Sequence, residues 1–330
     1  MRRQQIDHIK KLRQIAITTS NRLLGGLCPE MSSPKQELEY VSTGDIAVDL
    51  ALGGGIPLGR LIELVGDKSS GKTALALGII KQAQKQGLQT AFIDVEHAFN
   101  RTFAEDAGVD LSKLVYGSPK TGEQALRILE ELVASQKFGI VIVDSIAAIS
   151  PPMEVQGGFE TEDFKAAANF ISERLYSIIS ANKQSKTTVI FLNQLRSSMG
   201  SGYGRYISPG GKLFKSYCSI ILEVNKLHIL VEDGRLIGTI HNLNILKHKA
   251  TICNSGAEFT VLINGGISKE HGLFNLGLQQ GFIEQKGSWY IILGEPCTKQ
   301  GETRVVASLQ QDPTLAFKLE ILLKEKLDKR

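Results

Sequence analysis

Leu61-Ile62-Glu63-Leu64-Val65-Gly66-Asp67-Lys68-Ser69-Ser70-Gly71-Lys72-Thr73 is the stretch whose reading decides the fold. The apolar run Leu61–Val65 is short enough for a buried strand, and Leu75, Leu77, Ile79 and Ile80 continue beyond Thr73 in a helical stretch. Between them lies the G-x-x-x-x-G-K-[ST] pattern in its required setting of strand, loop and helix. Gly66 and Gly71 let the backbone of Asp67, Lys68, Ser69 and Ser70 wrap closely, so that successive N–H groups face phosphate oxygens. The helix N-terminus adds positive potential there. Lys72 reaches the β- and γ-phosphates, and the Thr73 hydroxyl is a ligand for Mg²⁺. The plainer reading is a glycine-containing turn with a solvated lysine, and the complete pattern outweighs it. The stretch implies a nucleoside triphosphate.

Bulk properties set the frame. The 330 residues suffice for one large domain and a smaller one. A hydrophobic share of 42% and a charged share of 22% are those of an ordinary soluble protein. A net charge of +4 permits a polyanionic partner without arguing for one. Cys28, Cys218, Cys253 and Cys297 lie far apart, which speaks against a zinc module or a disulfide framework and suits a reducing cytosol. No apolar run approaches the length of a membrane span. The basic N-terminus places Ile6, Ile9, Leu12 and Ile15 at three-residue spacing. An amphipathic helix packed on another subunit fits this better than a transit peptide, because Asp7 is acidic and serines are missing.

Residues 18–41 read as a connector, and Ser42–Pro57 as a short capped helix ending in a glycine turn. After the phosphate loop, strands at Thr90–Glu96, Gly139–Ser145 and Thr187–Gln194 alternate with helices at Gly122–Ser135 and Lys165–Asn182. Continuous apolar strands separated by helices predict an α/β fold with a mostly parallel sheet covered on both faces. Ligands of such sheets gather beyond the carboxyl ends of the strands, where Glu96, Asp144 and Gln194 all stand. Further on, Tyr217–Val224 and Leu236–Leu246 read as strands of an antiparallel extension. From Gly265 a small α/β lobe holds Trp289 and Tyr290, and closes on a helix capped by Asp312 with Pro313 in its first turn.

A hydrolysing NTPase needs an acid that organises the metal and a group that positions the attacking water. Asp144, ending Val141-Ile142-Val143-Asp144, has the form of the first, although a strand-end helix cap has the same look. Glu96 is the candidate for the second, with Asp94 as its rival on the same strand face. Two glycine-bearing stretches, Met153–Phe164 and Leu195–Gly211, are long for connectors. The second interleaves Arg196, Arg205 and Lys212 with Tyr203 and Tyr206, which suits phosphate neutralisation and base stacking. A plain polar surface loop has the same composition.

Ser42-Thr43-Gly44, the 66–73 loop, FIDVEHA at 92–98, TGEQAL at 121–126, VIVDSIAA at 141–148 and FLNQLR at 191–196 together resemble the bacterial RecA recombinases, colinearly from about Val41 onward. The resemblance implies a RecA-like P-loop NTPase core with a mostly parallel central sheet, an N-terminal helix and a small α/β C-terminal domain. Its divisions would be 1–40 for subunit docking, 41–264 for the ATPase core and 265–330 for the C-terminal domain. It further implies a cytoplasmic DNA-dependent ATPase using ATP and Mg²⁺, which forms a homo-oligomeric filament on single-stranded DNA and pairs it with double-stranded DNA. Promotion of SOS repressor self-cleavage is a further implied role.

Carried over by position, Glu96 activates water, Thr73 and Asp144 serve the metal, and Gln194 senses the γ-phosphate. Lys247 and Lys249 reach the neighbouring subunit's ATP, and Asn100 and Phe103 stand near the base. DNA contact falls to Phe164, Ser172, Arg196, Met199, Tyr203, Gly210, Gly211 and Lys212. The chain departs from the family at Asp67-Lys68, Asn100 and Phe103. It also departs at Asn169 and Tyr176, where arginines are usual and Arg174 is a nearby substitute, and at Ser216, where an aromatic is usual. The sequence ends at Lys329-Arg330 without an acidic run, so tail-mediated restraint of DNA binding is expected to be missing. Two rival readings are a RecA-fold helicase or branch-migration motor, and an ATP-binding coat protein of DNA with negligible hydrolysis.

Overall fold

Strands this apolar have to be covered on both faces, and their side chains divide accordingly. Ile62 and Leu64, Phe92, Ile140 and Ile142, and Ile190 and Leu192 enter one buried cluster. Their alternates Leu61 and Val65, Ala91 and Ile93, Val141 and Val143, and Val189 and Phe191 enter a second cluster on the opposite face. The computed structural model describes residues 38–149, 174–182, 184–194, 196–197, 206–207, 211–232, 234–250, 256–296 and 301–328.

The parallel strands are β1 (Leu61–Gly66), β2 (Gln89–Asp94), β3 (Leu114–Gly117), β4 (Phe138–Asp144) and β5 (Thr188–Gln194). They are extended by β6 (Ile220–Glu232), β7 (Arg235–His248), β8 (Gly256–Leu262) and β9 (Gly266–Ile267). The order across the sheet is β9-β8-β7-β6-β1-β5-β4-β2-β3. Strand β6 pairs parallel with β1, and β6 through β9 pair antiparallel in turn.

Helix α1 (Ile46–Ala51) starts at Asp45, whose Oδ1 accepts from the N–H groups of Ala47 and Val48. Helix α2 (Lys72–Lys85) follows the phosphate loop and buries Leu75, Leu77, Ile79 and Ile80. On the opposite face lies α3 (Gly122–Ala134), capped by Thr121, which accepts from Gln124 N–H. Its apolar stripe of Ala125, Leu126, Leu129 and Val133 enters the second cluster. Residues 174–182 and α4 (Gly211–Tyr217) add Leu175, Ile178 and Phe214 to it. A third apolar cluster joins α5 (Lys269–Gln280), the strands Ile283–Lys286 and Trp289–Ile292, α6 (Glu302–Gln311) and α7 (Pro313–Asp328). Ile46 of α1 belongs to this cluster, and the contacts gather Glu39–Arg330 into one unit. Asp312 caps α7, accepting from Thr314 and Leu315 N–H at 3.0 Å.

Several expectations shift. The connector ends in a strand, because Tyr40–Val41 pairs with Ile56–Pro57. The strand expected at Tyr217 begins at Ile220, since Gly211–Tyr217 is helical. The β6–β7 hairpin is also far longer than Val224 and Leu236 suggest. Its two strands satisfy each other's backbone groups out to Glu232 and Arg235, although Leu227, Ile229 and Val231 there are exposed. The N-terminal helix with Ile6, Ile9, Leu12 and Ile15 and the loop at 153–164 lie outside the described residues. No helix among the described residues is long and apolar enough to cross a membrane.

Candidate nucleotide site

Gly66 ends β1 with no room for a side chain, since a Cβ there would stand 2.2 Å from Val224 O and 2.7 Å from Ser70 Oγ. Gly71 has φ +100° and opens α2, so a left-handed residue stands immediately before Lys72. Asp67, Lys68 and Ser69 are exposed, whereas Ser70 and Lys72 are buried. The Lys72 ammonium donates to Gly66 O at 2.9 Å, Asp67 O at 2.7 Å and Ser70 Oγ at 3.3 Å, so it lies across the mouth of its own loop. Burial pushes its pKa down, opposed by the charges of Asp144, Asp67 and Glu96.

Register brings the rest together. Gly66 pairs with Gln194, Asp94 with Asp144 and Asp144 with Leu192, so β1, β5, β4 and β2 end along one edge of the sheet, the last two strands two residues short of the first two. The strand reading had put Asp94 and Glu96 on one face. Instead the backbone leaves the sheet after Asp94, and Val95 and Glu96 N–H donate to Asp144 O at 2.6 and 3.3 Å. That turn sends the two carboxylates to different partners. Asp94 accepts from Ala98 N–H, Phe99 N–H and Tyr116 OH, which fixes the turn. Glu96 accepts from the Ser145 hydroxyl and, with both oxygens at 3.0 Å, from Gln194 Nε2. Asp144 is pushed up to about 7, first by burial and then by Glu96 and Asp94, with Lys72 opposing. A second cation at this spot would favour its ionised form.

Beside the loop lies a cavity of about 410 Å³, lined on one side by Ser70–Ala74 and Phe103 and on the other by Thr239, His241 and Val261–Ile263. Phe103 is half-buried. Asn100 is exposed and caps the helix Arg101–Asp106, its Oδ1 accepting from Phe103 N–H.

Lys247 and Lys249 lie at the other end of the sheet. Lys249 N–H donates to Ser219 O, and Ser219 N–H donates to Leu61 O, the first residue of β1. The phosphate loop begins at the opposite end of β1, about 17 Å away at strand rise. Both ammonium groups donate to the last carbonyls of α4: Lys247 to Lys215 O at 2.5 Å and Ser216 O at 3.3 Å, Lys249 to Ser216 O at 3.4 Å.

The expected DNA residues are only partly described. Arg196–Ser197 pairs antiparallel with Tyr206–Ile207, and Gly211 and Lys212 open α4. Phe164, Asn169, Ser172, Met199, Tyr203 and Gly210 lie outside the described residues. Arg174, the nearby substitute for missing arginines, is engaged by Glu130 at 2.9 Å, while Tyr176 is 67% exposed. Sequence reasoning missed Ser145, although it directly follows Asp144. It also missed the wholly buried pair of Glu63 and Asn193, whose Nδ2 donates to Glu63 Oε1 at 2.8 Å. A glutamate inside an apolar strand was the available signal for that pair.

Comparison with known proteins gives a concordant picture. A family model described as the RecA N-terminal domain matches residues 17–268. Protein RecA of Streptomyces venezuelae is 38% identical over 322 residues, covering 96% of this chain and 85% of that protein. Protein RecA of Heliobacterium modesticaldum is 38% identical over 295 residues, covering 89% and 85%. Protein RecA of Arthrobacter sp. is 39% identical over 292 residues, covering 88% and 83%.

Proposed function

The chain belongs to the RecA family, and on that premise we propose a division of labour among its residues for ATP-dependent DNA recombination. It is a DNA recombinase of DNA repair and a DNA-dependent ATPase. The observation that carries the site assignment is the convergence of Lys72, Asp144, Glu96 and Gln194 along one edge of the sheet.

ATP with Mg²⁺ fits these residues. The glycine-bounded loop has no space for Cβ atoms at Gly66 and Gly71, and the adjoining cavity pairs an aromatic ring with hydroxyl and apolar groups. When bound, Mg-ATP supplies the γ-phosphoryl group and the metal charge that eases its transfer to water. Lys72 would exchange its loop carbonyls for phosphate oxygens, and Thr73 and Asp144 would hold the metal. Phe103 offers its ring to the base, with Asn100 holding that helix start in place. Glu96 orients and deprotonates the attacking water, and its grip on Gln194 ties that step to the loop at 195–211.

Membership of the family implies that Lys247 and Lys249 serve a neighbouring copy in a filament, and their place at the far end of β1 from their own phosphate loop supports that reading. Their present partners are the end of α4, the helix that Gly211 and Lys212 open and that follows Arg196 in the chain. Engagement with a neighbour's phosphates would therefore be felt at the DNA-binding segment, which is a two-state arrangement of the kind that couples nucleotide to DNA. Single-stranded DNA would lie along Phe164, Ser172, Met199, Tyr203 and Gly210 as well, and double-stranded DNA beside it. Residues 1–40 would dock on the adjacent copy, 41–264 form the ATPase core and 265–330 a C-terminal lobe. A cytosolic location and an SOS repressor as a further partner complete the proposal.

Replacing Lys72 with Ala tests the site. Hydrolysis and strand exchange should both vanish, and near-normal turnover would contradict the assignment.

A further inference from the structure

His241 has no place in the reading above, yet it touches the phosphate loop directly. It sits on β7, 3% exposed, and forms part of the cavity wall beside the loop. Its Nδ1 lies 2.6 Å from Ser70 O, and its Nε2 lies 2.7 Å from Thr239 Oγ1. A carbonyl oxygen only accepts, so Nδ1 carries the proton and Nε2 accepts from the Thr239 hydroxyl. Burial pushes the ring's pKa down, which keeps it neutral. The ring stacks on Phe259, with centroids 5.3 Å apart and planes 21° apart, so it has little freedom to turn. Gly71 comes so close that a Cβ there would stand 2.7 Å from Nδ1.

The consequence follows from peptide geometry. A trans peptide is planar and carries its C=O and N–H on opposite sides. The Ser70–Gly71 peptide is trans, the Asp144–Ser145 bond being the cis peptide among the described residues. Holding Ser70 O against β7 therefore turns Gly71 N–H away from β7. With that carbonyl released, the peptide is free to rotate and to aim an oxygen where the loop should offer a donor. We propose that His241 is a positioning residue of the phosphate loop, whose Nδ1–H holds the Ser70 carbonyl aside so that Gly71 N–H is presented to the phosphates of ATP. The role rests on the reading of residues 66–73 as a triphosphate site. A strand residue thus sets the donor pattern of a loop 171 residues away in sequence.

Two substitutions separate this role from simple packing. His241→Phe keeps the ring and its stack on Phe259 but has no donor. His241→Asn loses the ring, yet its amide places an N–H near the position of Nδ1. Affinity for ATP and steady-state turnover are measured for both. His241→Phe should weaken ATP binding about fivefold to tenfold, the loss of one buried hydrogen bond, and raise KM with kcat little changed. His241→Asn should retain affinity much nearer to wild type. Unaltered ATP affinity in His241→Phe overturns the proposal alone, as does a loss that is larger in His241→Asn. Wild-type protein that fails to bind ATP overturns the underlying reading and this proposal with it. Should His241→Phe not fold, imidazole nitrogen NMR of the wild-type protein decides the matter. A proton on Nδ1 supports the role, and a proton only on Nε2 excludes it.

Discussion

Gln194 Nε2 donates to both carboxylate oxygens of Glu96 at 3.0 Å, joining the end of β5 to the turn after β2 over the intervening strand β4. The candidate base is thereby held by the residue that begins the 195–211 loop. Removing the amide should leave ATP binding intact, because Lys72 and the loop backbone are untouched. What should disappear is the response of hydrolysis to DNA. Turnover of Gln194→Ala with and without single-stranded DNA checks this, and a full stimulation by DNA would break the proposed link.

Asp94 is no substitute for Glu96, since it is committed to two backbone N–H groups and Tyr116. Glu96→Ala should therefore lower turnover by at least about a hundredfold, the usual scale for a positioned base. ATP-dependent DNA binding should persist, as fluorescence anisotropy of a labelled oligonucleotide would show. Unchanged turnover would move the role to another residue.

The position of Lys247 and Lys249 at the far end of β1 predicts complementation between subunits. Lys249→Ala and Lys72→Ala should each be inactive alone. In a mixture, interfaces that join an intact phosphate loop to intact lysines should hydrolyse ATP. Turnover above the sum of the separate variants is expected, and a strictly additive result would contradict action on a neighbour.

Asp45 gives a prediction for pH. Its carboxyl is wholly buried and is pushed up to about 7, first by burial, with Asp49 adding and the Val48 and Ala47 N–H groups opposing. Its Oδ2 has no hydrogen-bond partner among the described residues, and a Cβ on Gly272 would stand 2.4 Å from it. Between 3.8 and about 7 the folded state holds a proton that the unfolded chain releases. The stability this contributes is fully present below 3.8 and is lost progressively until the pH has risen through about 7. Asp45→Asn keeps the cap while removing the charge, so its melting temperature should exceed that of wild type at about pH 8 and converge with it only below the unfolded-state value of 3.8. A variant less stable than wild type at the higher pH would refute this account of Asp45.

Much of this was legible in the sequence because the fold's signals are local. Short continuous apolar runs between helical stretches suffice for a parallel sheet, and the spacing of Gly66, Gly71 and Lys72 carries the loop. Strand ends mark where ligands gather, which is how Glu96, Asp144 and Gln194 stood out. Tertiary pairing was not legible. Glu96 parts company with Asp94 through a backbone turn held by Asp144 O, which no alternation pattern encodes. The length of the β6–β7 hairpin rests on mutual backbone pairing, because Leu227, Ile229 and Val231 in its far part are exposed rather than packed into a core. His241 sits in an unremarkable stretch, Thr239-Ile240-His241-Asn242, and only the fold brings it to Ser70.

The most direct test of the central claim is the rate of ATP hydrolysis by the purified protein with and without single-stranded DNA. Strong stimulation by DNA, lost on Lys72→Ala, is the result this account predicts. Robust turnover indifferent to DNA, or none under either condition, would contradict it.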